Sequence, residues 1–77
     1  MQILIGNLNS NTTAKHLTDL FLPYGAVYSC KIVSDTATGH SIGIGYIDME
    51  SHYAKVAIQQ LNRLQFMNYY MEVSEVH

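Results

Sequence analysis

The sequence predicts an α+β sandwich in the order strand, helix, strand, strand, helix, strand, with a four-stranded antiparallel sheet and two helices on one face. Three observations lead there. Two segments space their apolar residues three and four apart, the period of a half-buried helix. Four short runs alternate or are wholly apolar and are bounded by turn residues, as strands are. The chain has 77 residues and one cysteine, so residues 1–77 must close one core without a disulfide.

Each element can be justified in order. Gln2 to Gly6 is a short apolar run, closed by the turn-prone stretch Gly6-Asn7-Leu8-Asn9-Ser10-Asn11. Thr12 or Thr13 offers an N-cap to the helix that follows. That helix places Ala14, Leu17, Leu20 and Phe21 on one face, and Pro23 stops it. Tyr24-Gly25 turns the chain into a strand over 27–33, with Cys30 and Ile32 on one side and Lys31 and Val33 on the other. Asp35-Thr36-Ala37-Thr38-Gly39 has the composition of a hairpin loop. A glycine-rich strand spans 42–49. Ser51 is positioned to cap a second helix with the apolar face Ala54, Ala57, Ile58 and Leu61. Asn62-Arg63 ends that helix, and Tyr70 to Val73 alternates as a last strand.

Composition narrows the function classes. Hydrophobic residues make up 48% of the chain and charged residues 13%, enough apolar content for a packed core. Four cations, Lys15, Lys31, Lys55 and Arg63, stand against six carboxylates, for a net charge of −2. They do not cluster, so phosphate affinity from counterion release is small. The start, Met1-Gln2-Ile3-Leu4-Ile5, is too short for a signal peptide or a membrane span. The expectation is an intracellular protein, cytoplasmic, or nuclear in a eukaryote. No cofactor or metal is expected: His16, His40, His52 and His77 lack metal-ligand spacing, and Cys30 has no partner thiol. Gly43-Ile44-Gly45 lacks the third glycine and the lysine of a phosphate loop, so no enzyme is expected.

Two β-α-β units joined this way form a ferredoxin-like sandwich with one sheet face open. Alternation then assigns sides. Ile3, Ile5, Gly43, Gly45, Ile47, Met49, Met71 and Val73 face the helices. Leu4, Ile42, Ile44, Tyr46, Asp48, Tyr70 and Glu72 face outward.

Local patterns along nearly the whole chain resemble the RNA recognition motif family. Ile3-Leu4-Ile5-Gly6-Asn7-Leu8 matches the family's hexapeptide in five of six positions. Leu20-Phe21-Leu22-Pro23-Tyr24-Gly25 resembles the end of its first helix, and Asp35 to Ser41 its loop between the second and third strands. Ile42 to Met49 sits in its octapeptide register, and Ala57-Ile58-Gln59-Gln60-Leu61-Asn62 matches the end of its second helix.

The resemblance implies single-stranded RNA binding on the open face, with bases stacked on three aromatics. Those positions here hold Leu4, Ile44 and Tyr46, so one aromatic of three is kept. The octapeptide opens with Ile42 where the family has Lys or Arg. Each stacked base contributes about 1–3 kcal/mol, so losing two platforms removes roughly 2–6 kcal/mol, about one and a half to four decades of affinity. The expected RNA binder is therefore weak. Tyr46 stacks a base within the surface of Leu4 and Ile44, Tyr70 adds an aromatic at the sheet edge, Lys31 and Arg63 meet phosphates, and Asn7 contacts base or backbone. The alternative is a protein-interaction module, a homodimer or a subunit of an RNA-processing complex, docking through the aliphatic face Leu4, Ile42, Ile44 and Tyr46. Peptide capture behind the helices is disfavoured, because Arg63-Leu64-Gln65-Phe66 places Leu64 where such relatives have arginine. Phe66 is expected in the core.

Overall fold

The computed structural model describes all residues, 1–77. Its elements are β1 (Gln2–Gly6), α1 (Ala14–Phe21), β2 (Val27–Ser34), β3 (Ser41–Met49), α2 (Ser51–Leu61), β4 (Gln65–Phe66), β5 (Tyr69–Tyr70) and β6 (Glu72–Glu75). β1, β2, β3 and β6 form an antiparallel sheet in the order β2-β3-β1-β6, as the ferredoxin-like sandwich requires, and β4 pairs with β5 as a separate hairpin. No helix is long and apolar enough to cross a membrane.

The core lies between the helices and one sheet face. Ile3, Ile5, Ile47, Met49, Met71 and Val73 from the sheet side meet Leu17 and Phe21 of α1 and Ala54, Ala57 and Leu61 of α2. These are the residues alternation turns inward. Leu20, Ile58 and Phe66 pack at the margin of this cluster. Ala14 does not join it. It sits exposed in the first turn of α1, where its carbonyl lies 3.5 Å from Cys30 Sγ.

Two glycines permit the close approaches on which this packing rests. A Cβ on Gly45 would stand 2.7 Å from Leu17 Cδ1, so the bare backbone makes room for that methyl group. Gly43 has φ +79°, and its Cβ would meet the Leu8 carbonyl oxygen at 2.9 Å. Leu8 N–H donates to the Gly43 carbonyl at 2.9 Å, so β1 and β3 stay joined where β3 bends.

Helix boundaries follow from capping. Thr13 caps α1: its hydroxyl accepts from His16 N–H at 3.1 Å, and His16 Nδ1 accepts from Thr13 N–H at 3.0 Å. Pro23 lies in the single 3-10 turn that follows, Leu22–Tyr24. Glu50, not Ser51, caps α2. Its carboxylate accepts from the backbone N–H groups of His52 and Tyr53, reaching two free donors that a serine hydroxyl would serve singly.

The last strand departs from expectation. Tyr69 and Tyr70 pair with Phe66 and Gln65, and the sheet strand begins only at Glu72. The cause is a tight turn at Met67-Asn68, both with positive φ, the conformation that suits a two-residue hairpin. Met71 N–H donates to the Leu64 carbonyl and Arg63 N–H to the Met71 carbonyl, so the backbone of Met71 serves the hairpin. Asn62 Oδ1 accepts from Val73 N–H at 3.0 Å and seats the start of β6.

Two expected outcomes follow. Gly43→Ala forces a left-handed alanine against a backbone oxygen and lowers the unfolding free energy by about 1–3 kcal/mol in urea titration. Burial pushes the Cys30 thiol above its ordinary 9.0, partly offset by a hydrogen bond with Thr18. A raised folded value means the thiol's contribution is full below that ordinary value and is lost as pH climbs through the raised one. As pH rises above about 9, the wild type therefore loses stability faster than Cys30→Ala, read as urea midpoints.

Candidate nucleic-acid interface

The open sheet face is organised in cross-strand rows. Tyr46 on β3 lies opposite Lys31 on β2 and Leu4 on β1, and Leu4 lies opposite Ser74 on β6. One row along, Asp48 lies opposite Ser29 and Gln2. On the other side, Ile44 lies opposite Val33. Directly opposed side chains have Cβ atoms about 4.5–5.5 Å apart, so each row is a contact unit. Leu4, Ile44 and Tyr46 are each half-buried. One aromatic thus sits at the centre of the face, with aliphatic neighbours and one cation beside it.

Lys31 is exposed and makes no ion pair, since the chain's only pairs are Lys15–Asp19 and Met1–Asp48. Its ammonium is free for an incoming anion. A shallow open depression lies here, bounded by Gln2, Ser29, Lys31, Tyr46, Ile47 and Asp48.

Other candidates stand elsewhere. Ile42 is 51% exposed. Between the pairs Val33–Ile44 and Ser34–Ser41 the register shifts, and the positive φ of Gly43 bends the strand, so alternation no longer fixes the side Ile42 takes. Arg63 lies in the left-handed turn that leaves α2, outside the four-stranded sheet. Tyr70 belongs to the hairpin and is 63% exposed, beside the start of the edge strand β6. Asn7 has φ +56°, and its side-chain amide donates to the Tyr70 carbonyl at 2.8 Å. It ties the end of β1 to the hairpin. Asn9 adds a second tie, donating to the Met67 carbonyl at 3.0 Å.

Gln2 and Ser29 were absent from the sequence-based set, and Asp48 entered it only as an outward residue. Gln2 shares the alternation of Leu4, which is a usable signal. Ser29 likewise shares the alternation of Lys31; what alternation misses is Tyr28, an extra residue in β2, since Val27 pairs with Met49 but Ser29 pairs with Asp48. Such a bulge re-aims side chains, and Tyr28 is left 66% exposed.

Fold and face together define a small sandwich with one uncovered sheet surface carrying a central aromatic. The profile of the RNA recognition motif family matches residues 3–72, and the chain belongs to that family. It is 36% identical over 76 residues to RbpE of Nostoc sp. (strain PCC 7120), which carries an RNA-binding name; the match covers 97% of this chain and 77% of that protein. The crystal structure of RNA binding protein PG1 is 36% identical, with a TM-score of 0.96 over 99% of this chain and 93% of that one. The Drosophila melanogaster Sex-lethal protein, solved with RNA, is 27% identical, with a TM-score of 0.92 over 99% of this chain and 46% of that one.

The double role of Asn7 can be separated by substitution. Asn7→Gly loses only the hydrogen bond to Tyr70, about 0.5–1.5 kcal/mol. Asn7→Ala adds a left-handed backbone penalty of about 1–2 kcal/mol. Faster amide exchange at Tyr69 and Tyr70 in both variants checks the tie.

Proposed function

We infer that this chain is an RNA-binding protein that engages single-stranded RNA on the open face of its sheet, with low affinity. The observation that carries the reading is the row Lys31–Tyr46–Leu4, a stacking ring beside an unpaired cation at the centre of an uncovered face. Membership of the RNA recognition motif family supports it, as do the RNA-binding names of its relatives. A base stacks on Tyr46, Leu4 and Ile44 pack around its edges, and Lys31 meets one phosphate. Reading free base edges with stacking is how such domains select unpaired strands.

The low affinity follows from the residues. Stacking on a single ring supplies about 1–3 kcal/mol. The other two platforms are aliphatic, and the net charge of −2 adds no general attraction for phosphate. Docking of a protein partner or a second copy on the same face is the weaker reading. Leu4, Ile44 and Tyr46 are already half-buried by their neighbours, and the names of the relatives point to RNA.

Titration with single-stranded RNA at low salt tests the function. Chemical-shift changes are expected at Leu4, Ile44 and Tyr46, and a flat response at near-millimolar RNA sinks the proposal. Tyr46→Ala weakens binding by about 1–3 kcal/mol while Tyr46→Phe retains it. With one or two phosphates engaged, the logarithm of affinity falls against the logarithm of salt with a slope of about −0.7 to −1.4.

A further inference from the structure

The depression beside Tyr46 carries more polar chemistry than stacking needs. Ser29, Asp48 and Gln2 form one registered row across β2, β3 and β1, next to the row that holds Tyr46. Asp48 is 48% exposed, and its one protein partner is the Met1 ammonium, 3.4 Å from Oδ1. That ammonium makes its shorter bond, 2.8 Å, to the Met49 carbonyl. The Asp48 carboxylate therefore keeps acceptor capacity facing solvent. Ser29 and Gln2, directly opposite it on either side, both offer donors.

A carboxylate on an RNA-binding face repels phosphate, so it contributes by accepting hydrogen bonds, from a ribose 2′-OH, which occupies one oxygen, or from a base edge with paired donors, which occupies both. The free Watson–Crick edges differ in what they offer. Guanine presents O6 as acceptor, then N1–H and N2–H as adjacent parallel donors, spaced like the two oxygens of a carboxylate. Uracil has a single N3–H flanked by two carbonyls, so the second carboxylate oxygen would face a carbonyl oxygen. In cytosine and adenine the amino group lies beside a ring-nitrogen lone pair, with the same repulsion. Only guanine satisfies both oxygens and also leaves O6 for a neighbouring donor.

Resting on the RNA-binding reading above, we propose that this depression is a guanine-selective subsite. The base stacks on Tyr46, the Asp48 carboxylate accepts from N1–H and N2–H, and the Gln2 amide or the Ser29 hydroxyl donates to O6. Lys31, on the Tyr46 row, serves the phosphate. Specificity here comes from a negative charge that costs general affinity.

The test uses pentanucleotides UUNUU, with N as guanosine, inosine, adenosine, cytidine or uridine, titrated against the wild type and Asp48→Asn. In the wild type, guanosine binds roughly 5- to 150-fold more tightly than adenosine, cytidine or uridine. Inosine, lacking the N2 amino group, loses part of that advantage, and this readout needs no variant. Asp48→Asn abolishes the guanosine preference while retaining UUUUU binding, because removing the charge favours phosphate. Equal binding of all five RNAs, preference for another base, or a guanosine preference that survives Asp48→Asn overturns the guanine assignment but leaves RNA binding standing. No binding of any pentanucleotide at near-millimolar concentration overturns both.

Discussion

The architecture depends on the burial of Leu17 and Phe21 of α1 against the inner face of the sheet. The bare backbone of Gly45 leaves room there for the Leu17 Cδ1 methyl, which a Cβ would meet at 2.7 Å. With α1 seated, Leu17 and Phe21 close over Ile3, Ile5 and Ile47. This pins the register of the central strands, because a slip by one residue would turn every buried side chain outward. Tyr46 follows Gly45 directly, so the same contact that buries one face presents the ring on the other. Core and candidate site are set by one strand in one register.

Much of this was legible in the chain. Alternation named the inward set, and Ile3, Ile5, Ile47, Met49, Met71 and Val73 are all buried. The order of the two helices and the four sheet strands and the outward placement of Leu4, Ile44 and Tyr46 follow from periodicity. The failures have local causes. The β4–β5 hairpin turns at Met67-Asn68, and a methionine with φ +51° gives no turn signal. Its conformation is held by distant groups: the Asn9 side chain on its carbonyl, and the Thr12 hydroxyl 3.5 Å from its sulfur. The cap on α2 was misplaced because an ordinary glutamate supplied what a serine suggested. The exposure of Tyr28 was hidden by the bulge there, since nothing in Val27-Tyr28-Ser29-Cys30 marks an extra residue.

Asn7 shows how a residue can look like a contact yet serve the frame. Its left-handed backbone and its amide bond to Tyr70 join β1 to the hairpin, and with Asn9 it fixes the segment that delivers Met71 to the core and Glu72 to β6. Residues of the candidate interface and residues that hold it are therefore interleaved in sequence, Leu4 next to Ile5, Tyr46 next to Ile47. Function at the face and stability of the fold are read from alternate positions of the same strands.

The irregularities of β2 have a further effect. A sheet with two open edges exposes unpaired backbone groups that invite other chains to add strands, a hazard in a sequence that is 48% hydrophobic. β2 is one of those edges, and its register shifts both at Tyr28 and beyond Val33. The other edge, β6, is four residues long and bears Glu72 and Glu75 at its ends. Neither offers a long, straight, uncharged ladder. The kink that re-aims Tyr28 thus also acts as a guard against amyloid-like stacking, leaving the flat face, rather than the rim, as the surface open to other molecules.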